Sequence, residues 1–429
     1  MSLRLAVRRL GFVCLTPFLR AAAVDYERDV RPILEQHCVA CHRPDEVAPF
    51  SLVTQSEAVR HARMIGAVAR TRRMPPWKAA HLPGAELTGE RRLTEREIRT
   101  LAAWSQRPID GPGRIPLPER REWALGTPDL ILEMPEPFSI PAAGTDIYQC
   151  FVTALPPGPA RWVRAFEFQA GNRRVVHHAI ALFDRSGEAR RRDAAEPSPG
   201  YRCFGVPGFL PSGALGGWSP GNRAYEYGTG SAVRWPGSGD LVFQIHYHGT
   251  GKPESDRSRV GVYFAEKPPL RTLLDIPLGS RQIDIPAGER RYRVRDSFTL
   301  PVDVEIESVI PHAHYLARRM RGWARLPNGV RRELLRIEDW DFNWQESYRY
   351  RTPLRLPQGT RLEMEFEYDN SAANPRNPSR PPQRVRWGPE TTDEMAGLHF
   401  AVKTFNDADQ EELGRTLWGK MMRFLRQSL

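Results

Sequence analysis

Short apolar stretches separated by turn residues place the strongest constraint on how this chain folds. From about residue 128 to residue 405, runs rich in valine, isoleucine and aromatic residues alternate with clusters of glycine, proline and asparagine. Because the chain carries 39 prolines and 34 glycines, long helices are disfavoured. The pattern predicts two β-sandwiches with a boundary near Pro268-Pro269. The predicted strands are 129–134, 148–153, 162–168, 175–183, 240–248, 260–264, 303–314, 332–337 and 361–368.

Residues 25–110 carry a helical pattern instead and predict a small all-α domain, followed by a linker rich in proline and glycine, 111–127. The pattern predicts helices over 26–37 and 55–72, and a capping box formed by Thr94 and Glu97 begins a third. Residues 407–429 predict a C-terminal helix, because they start acidic and end basic, as the helix dipole favours.

The first 24 residues have the features of a signal peptide. A basic start is followed by an apolar stretch over 10–19 and by three alanines that offer a cleavage site. We therefore expect an exported protein, in the periplasm or another extracytoplasmic compartment of a bacterium. No apolar run is long enough to predict a transmembrane segment.

The positive charge of the chain does not predict a nucleic-acid partner. The net charge is +11, and four arginines with no acidic residue precede Asp25. The remaining excess is mostly scattered arginine, with no lysine-rich run and no aromatic ladder among the basic residues. This distribution is typical of a solvated basic surface.

The pentapeptide Cys38-Val39-Ala40-Cys41-His42 predicts one covalently bound haem c. Two thiols one helical turn apart can add to the two vinyl groups of a porphyrin, and the adjacent His42 then reaches the iron. A zinc site would need a second pair of cysteines, and none is available for it. Cys14 falls in the signal peptide, so Cys150 and Cys203 remain as one pair, and a disulfide is expected between them in an oxidising compartment.

Met74 is the predicted sixth ligand of the haem iron. It precedes Pro75-Pro76-Trp77, where two prolines stiffen a loop that would press the thioether onto the iron. A core position in the haem crevice is the alternative for Met74. Three other residues compete for the role of ligand, namely His61, Met64 and His81.

Histidines predict a second kind of metal chemistry. Seven of the eleven histidines follow residue 170, and six of these form three close pairs on predicted strands. In a His-x-His pair both rings point to one face of a strand, as two ligands of one ion should. Two adjacent histidines can bind one ion only if the strand twists or bulges there. The residues alone do not say which pairs share an ion. The pairs are His177-His178, His246 with His248, and His312 with His314.

A methionine extends this pattern. Met395 follows Asp393-Glu394 in a short polar stretch. Imidazoles together with a thioether suit copper, because the thioether favours Cu(I). An ordinary core position is the alternative for Met395.

Together these motifs resemble the type II, ascorbate-dependent copper monooxygenases, the family of the peptidylglycine α-hydroxylating and dopamine β-monooxygenases. The resemblance covers roughly residues 128–405. It rests on Val176-His177-His178, Gln244-Ile245-His246-Tyr247, His312-Ala313-His314 and Asp393-Glu394-Met395, which occur in the family's order. The N-terminal segment, from Asp25 to Trp104, resembles the small cytochrome c domains of bacterial multidomain oxidoreductases.

The resemblance implies a fold class and two copper ions. The fold would be a small all-α cytochrome c domain followed by two all-β jelly-roll sandwich domains, 128–268 and 269–406. One copper would be held by His177, His178 and His246, rather than His248. The other would be held by His312, His314 and Met395. A family strand with a disulfide cysteine also supports the pairing of Cys150 with Cys203.

The resemblance further implies hydroxylation of a C–H bond of a small organic substrate by O₂, with two electrons from ascorbate or another donor. The copper at His312, His314 and Met395 would be catalytic, the three-histidine copper would deliver the second electron, and the haem would act as a built-in donor. Three positions depart from the family, namely Ile310, Ala396 and His399. Ala396 replaces a cysteine, whereas Ile310 and His399 replace substrate-contacting residues and argue against a peptidylglycine substrate. The alternative is a non-catalytic periplasmic haem and copper electron-transfer or copper-binding protein. A zinc hydrolase is disfavoured because no Glu or Asp stands beside the histidine pairs.

Overall fold

In a computed structural model of the chain, 37% of the described residues lie in strands and 16% in helices. The described residues are 24–44, 46–117, 122–142, 146–203, 207–220, 224–228, 230–269, 271–388 and 390–426. The predicted signal peptide lies outside them, except for its last residue. No helix among the described residues is both long and apolar enough to cross a membrane.

The N-terminal segment forms short helices around a small core. A π-helical turn, Tyr26–Val30, leads into α1, and capping boxes on Thr54 and Thr94 begin α2 and α4. The helix predicted over 55–72 is divided at His61, whose backbone angles (φ −105°, ψ 5°) are not helical. The helices are α1 Arg31–His37, α2 Gln55–Arg60, α3 Ala62–Arg70 and α4 Glu95–Trp104.

Two packed sheets make up the first β-unit, residues 130–272. One sheet has the strand order β1-β12-β4-β9-β13, with β8 beside β4, and the other has the order β6-β3-β10-β5-β7. Phe168 of one sheet packs on Phe243 of the other, within a single apolar core. The elements are β1 Leu130–Glu133, β2 Phe138–Ile140, β3 Ile147–Ala154, β4 Arg161–Gln169, β5 Val176–Asp184, α5 Glu188–Asp193, β6 Tyr201–Arg202, β7 Gly213–Trp218, β8 Ala224–Glu226, β9 Ser231–Trp235, β10 Asp240–Tyr247, β11 Glu254–Asp256, β12 Arg259–Phe264 and β13 Arg271–Thr272.

The second β-unit, residues 274–403, is built in the same way. Its two main sheets have the orders β14-β23-β17-β20 and β16-β21-β18-β19. The C-terminal helix, α6, packs on this unit through the buried Leu413. The elements are β14 Leu274–Gly279, β15 Asp284–Ile285, β16 Tyr292–Thr299, β17 Val304–His312, β18 Ala317–Arg325, β19 Arg331–Ile337, β20 Tyr348–Leu356, β21 Arg361–Tyr368, β22 Val385–Arg386, β23 Gly397–Lys403 and α6 Asp407–Arg426.

A segment between α3 and α4, residues 77–88, leaves the helices and joins the second β-unit; we call it the strap. Ala79 forms a bridge with Ile337 of β19, and Leu87 forms one with Tyr350 of β20. Because β19 and β20 are the edge strands of two different sheets, the strap covers one edge of each. Four strap residues are buried in the core of the second β-unit, namely Ala79, Leu82, Ala85 and Leu87.

The predicted fold class is therefore wrong. No small all-α cytochrome domain is evident among the described residues, which form a mainly β structure with six sheets of two to six strands. The strap gives the physical reason. Helical periodicity reports which face of a helix is buried, but it does not report the partner against which the intervening chain packs. Here the chain between α3 and α4 belongs to the core of a β-unit.

Candidate metal centres

The first candidate centre lies where β5 and β10 pair at the middle of a sheet. His178 stands opposite His246, and the register shifts immediately afterwards, so that Tyr247 faces Val176. His177 is the extra residue of this β-bulge. A bulge turns a side chain away from its regular direction, and it brings the adjacent rings of His177 and His178 to the same place. All three histidines present ring nitrogens within 4.8 Å of one another.

The spacing of these nitrogens suits a metal ion. The Nδ1 atom of His177 lies 3.2 Å from that of His178 and 3.1 Å from that of His246, and the last two are 3.3 Å apart. A point equidistant from the three atoms is about 1.9 Å from each, close to the usual bond length from imidazole nitrogen to a metal. The three rings therefore offer one ligand atom each to a common ion.

Two of the three outer nitrogens of this centre have polar partners. Asp146 places one carboxylate oxygen 3.1 Å from Nε2 of His246 and the other 2.8 Å from Nδ1 of His248. Nε2 of His177 lies 3.1 Å from the carbonyl oxygen of Asn343, which belongs to the second β-unit. A hydrogen bond at one ring nitrogen fixes the tautomer, so that the other nitrogen keeps its lone pair for a metal.

Burial keeps these histidines neutral. It lowers the pKa of His177 to about 4, with a contribution from the nearby His246, and it lowers the pKa of His178 further below its usual range. Burial also acts to raise the pKa of Asp146, but the hydrogen bonds and charges of His246 and His248 outweigh it, and the pKa falls to about 2. Neutral imidazoles beside a carboxylate can bind a cation without first losing a proton.

The second candidate centre lies at the end of β17 and the start of β23. His312 stands opposite Gly397 in the register, and His314 follows just beyond the strand. The buried carboxyl group of Glu394 accepts hydrogen bonds from the backbone N–H groups of His314, at 2.9 Å, and Leu316, at 2.6 Å. Glu394 thereby holds the segment that carries Met395 against the two histidines.

In this centre both Nδ1 atoms have hydrogen-bond partners. Nδ1 of His312 lies 2.6 Å from Oε1 of Gln345, and Nδ1 of His314 lies 3.1 Å from the carbonyl oxygen of Asp393. Both Nδ1–H groups therefore donate, and at His312 the Nε2 atom keeps its lone pair. Burial, together with the charge of His312, lowers the pKa of His314 to about 3. Met395 is half-buried, and its carbonyl oxygen accepts a hydrogen bond from the Tyr368 hydroxyl at 2.7 Å.

The two centres lie on facing parts of the β-units. The Phe342 ring is 6.3 Å from the ring of His246 and 5.6 Å from the ring of His314, between centroids. The charge of His312 also contributes to the lowered pKa of His178. A single aromatic side chain therefore touches both histidine clusters.

The haem motif lies in a turn that follows α1. The N–H groups of Cys41 and His42 donate to the carbonyl oxygen of Cys38, at 3.1 and 2.9 Å. Both cysteines are free and half-buried, and burial raises the pKa of Cys38 to about 12. Nδ1 of His42 is 3.1 Å from the carbonyl oxygen of Phe50, which leaves Nε2 available for an iron. These residues fit a covalently attached haem.

The remaining predicted residues are placed as follows. Met74 is half-buried in the loop that leaves α3, and its role as the sixth iron ligand stays a prediction. His248 contacts Asp146 rather than the cluster of three nitrogens. His399 is held by Asp275, with 2.8 Å between Nδ1 and Oδ2, on β23 opposite Ile310. The expected disulfide between Cys150 and Cys203 is formed, and it links β3 to the end of β6.

Sequence reasoning missed most of the residues that support the ligands. Asp146, Phe342 and Gln345 carry no local signal, because they come from separate turns that only the fold brings to the histidines. Glu394 is different, because it lies directly before Met395 in the sequence. Among these residues, only Glu394 had a signal to find it by, a charged side chain within a motif.

Comparisons with known proteins leave the family undetermined. No protein-family model matches the chain, and no curated protein matches it either. Among solved structures, the major capsid protein P2 of bacteriophage PM2 is 8% identical, with 64% of this chain and 97% of that chain covered at a TM-score of 0.25. PNGF-II is 9% identical, with 63% and 65% covered at a TM-score of 0.26. A structure of the Gx strain of infectious bursal disease virus is 8% identical, with 65% and 72% covered at a TM-score of 0.20. These scores are too low to carry an argument about fold or function.

Proposed function

We propose that this protein is an exported, copper-dependent monooxygenase that hydroxylates a C–H bond of a small organic substrate. The observation that carries the proposal is the convergence of the Nδ1 atoms of His177, His178 and His246 at the spacing of one metal ion. The second centre supports it, because Nε2 of His312 keeps its lone pair, and Glu394 holds the segments of His314 and Met395 together. Imidazoles at one site, and imidazoles with a thioether at the other, suit copper.

The proposed reaction consumes one O₂, two electrons and two protons, and it yields the hydroxylated substrate and one water. Copper would supply the oxygen and redox chemistry when bound. The chain would supply ligand geometry. Gln345 and Asp393 fix the ring orientation of His312 and His314, and Asp146 does the same for His246.

The proposed role of the haem motif is to bring electrons to the copper centres. Cys38, Cys41 and His42 would hold the haem, with Met74 as the second axial ligand. The motif is tied to the β-units from two sides. Glu46, four residues beyond His42, pairs with Arg173, 2.9 Å away, just before β5. On the other side the strap enters the second β-unit.

Metal analysis provides the first test. We expect one covalent haem and two copper ions per chain, with a type 2 copper signal in electron paramagnetic resonance. Uptake of zinc in preference to copper at both centres would contradict the proposal. Ascorbate-dependent O₂ uptake, measured with a panel of small organic compounds, then separates a monooxygenase from an electron carrier.

The Met395→Leu variant provides the second test. The substitution keeps an apolar side chain of similar volume but removes the thioether. We expect substrate-dependent O₂ uptake to be abolished while the haem absorption spectrum is unchanged. Met320→Leu is the matched control, because Met320 is buried in the core of the same β-unit. Full activity in Met395→Leu would remove Met395 from the site.

The haem role has its own test. Protein reduced at the haem is mixed with O₂ and substrate, and the haem spectrum is followed. We expect the haem to reoxidise in wild-type protein and to stay reduced after removal of copper. Haem that stays reduced in copper-loaded protein during turnover would overturn the donor role.

A further inference from the structure

One loop contacts both histidine clusters and the strap. It comprises residues 340–346, between β19 and β20, and we call it the bracket loop. Its Trp340 is fully buried and donates its indole N–H to the carbonyl oxygen of His314 at 3.1 Å. Its Phe342 ring packs on His246 and His314. The loop therefore spans the space between the two β-units at the height of the candidate metal centres.

The bracket loop also reaches an outer ring nitrogen in each centre. The carbonyl oxygen of Asn343 accepts from Nε2 of His177 at 3.1 Å, and Oε1 of Gln345 accepts from Nδ1 of His312 at 2.6 Å. A neutral imidazole has one donor nitrogen and one acceptor nitrogen. Two residues of one loop thus fix opposite tautomers. The unprotonated nitrogen is Nδ1 in His177 and Nε2 in His312.

The C-terminal end of the bracket loop is fixed to the N-terminal segment just after the strap. Glu346 is nearly buried and forms an ion pair with Arg91, just after the strap. Arg91 also donates to the carbonyl oxygen of Pro76 at 3.2 Å and lies over the Trp77 ring, 5.6 Å from its centroid. Trp77 in turn contacts the ring of Tyr348, two residues beyond Glu346.

We infer that the bracket loop positions one histidine ligand of each metal centre, that Gln345 is the positioning residue for His312, and that the Arg91–Glu346 ion pair holds the loop in place. This inference rests on the proposed two-metal function. It assigns no bond-making step to Gln345. As a consequence, the metal affinity at His312 depends in part on the ion pair between Glu346 and Arg91. Arg91 in turn contacts the loop of Pro76 and Trp77, on the haem side of the strap.

Replacement of Gln345 tests the first part. Gln345→Leu removes the acceptor, whereas Gln345→Glu keeps an oxygen for the Nδ1–H group. We measure Cu(I) affinity by competition with a chromogenic Cu(I) chelator, on full-length protein with its haem. The expected result is a loss of about 10- to 100-fold at the second centre in Gln345→Leu, no change at the first centre, and near wild-type affinity in Gln345→Glu.

The tautomer of His312 gives a readout that a purely structural role would not change. In Cu(I)-loaded protein, ¹H–¹⁵N spectra of the histidine rings should show a protonated Nδ1 for His312. We expect this signal to persist in Gln345→Glu and to be lost or divided in Gln345→Leu. An unchanged spectrum and affinity in Gln345→Leu would overturn the positioning role.

Replacement of Glu346 tests the remote contact. We expect Glu346→Gln to lower the copper affinity of the second centre by about three- to tenfold, although the residue contacts no histidine ring. Glu338→Gln is the matched control. It is the same substitution two residues before the bracket loop, at a half-exposed carboxylate that pairs with Arg321, and it should leave the affinity unchanged. Equal effects, or no effect, in the two variants would overturn the role of the ion pair.

Metal affinity and catalysis are separate measurements, so the two proposals can fail separately. If the wild-type protein binds two coppers but shows no oxygenation, the proposed monooxygenase function is excluded. The role of the bracket loop is then still tested by the copper affinities of the variants. Wild-type protein that binds no metal at His312 overturns both. A Gln345→Leu variant with an unaltered thermal unfolding midpoint excludes general unfolding as the cause of lost affinity.

Discussion

Asp146 contacts both histidines of the His-x-His pair at the end of β10, but only one of them takes part in the first metal centre. Its carboxylate contacts His246 and His248 at once, but only His246 has a second nitrogen directed at the cluster. A carboxylate on the outer nitrogen raises the basicity of the ring and fixes its orientation. Asp146 lies outside every motif in the sequence, so its effect follows from the fold alone.

We therefore expect Asp146→Asn to weaken metal binding at the first centre by about 10- to 100-fold, because an amide holds the imidazole less strongly than a carboxylate does. Copper titration with a competing chelator measures this loss. Asp275→Asn is the matched control, since Asp275 makes the same kind of contact with His399, 2.8 Å away, outside the first centre. Equal affinities in the two variants would contradict the prediction.

Glu394 joins two segments that are 80 residues apart in the chain. Burial raises the pKa of Glu394 to about 8, while hydrogen bonds from the backbone N–H groups of His314, Leu316 and Met395 oppose the shift. Its side chain is fully buried. Removal of the side chain would leave these donors unpaired in the interior.

We expect Glu394→Ala to lower the free energy of unfolding by roughly 1–3 kcal/mol, and to weaken metal binding at the second centre. Urea unfolding measures the first effect and copper titration the second. Glu390→Ala, at an exposed position four residues earlier, is the control and should change neither. A stable Glu394→Ala variant with full copper affinity would show that the segment of Met395 is held in another way.

At the scale of elements, the strap matters because it closes two sheet edges at once. Backbone groups of Ala80 and Thr88 bond to β19 and β20, at 2.7 and 2.8 Å. An uncovered edge strand exposes unpaired N–H and C=O groups to other chains. The strap therefore fastens the N-terminal segment to the second β-unit and protects that unit from edge-to-edge association.

Leu87→Ala tests the contribution of the strap. Leu87 is 5% exposed within the core of the second β-unit, so we expect a loss of about 2–5 kcal/mol in the free energy of unfolding. Leu210→Ala, at a leucine that is 67% exposed, should change it by less than about 0.5 kcal/mol. Similar unfolding midpoints in urea for the two variants would show that the strap is peripheral.

At the scale of the whole molecule, the histidine clusters make the metal-free protein sensitive to acid. Burial lowers the pKa of His177 to about 4 and that of His314 to about 3, whereas an imidazole in the unfolded chain titrates near 6.5. Below pH 6.5 the unfolded state binds more protons than the folded state. The contribution of these histidines to the free energy of unfolding is therefore fully present above pH 6.5, and it is lost as the pH drops toward 4.

We expect the metal-free protein to lose about 2 kcal/mol between pH 6.5 and pH 5 through the buried His314 alone. Urea unfolding at several pH values measures the loss. The His314→Asn variant lacks one of these groups, so its stability should depend less steeply on pH. A variant with the same pH dependence as the wild type would contradict the prediction.

The local structure could be predicted well because it depends on neighbouring residues. The capping box of Thr94 and Glu97 begins α4 as expected, and the strand predictions around His177, His246 and His312 agree with β5, β10 and β17. The adjacent His177-His178 pair required a bulge if both were to bind one ion, and the register shift supplies it. The fold class was wrong, because the strap packs far from its neighbours in sequence.

By itself, the sequence determined the residues with metal-binding chemistry, the disulfide pair and the positions of most strands, because these depend on residue type and short spacing. The resemblance already favoured His246 over His248, and the structure places His246 in the cluster. Only the tertiary structure decided that Asp146, Asn343 and Gln345 contact the outer ring nitrogens. It also decided that the chain after α3 enters a β-unit. The physical reason is that ring orientation and long-range packing depend on groups that approach from distant parts of the chain, and no local pattern records them.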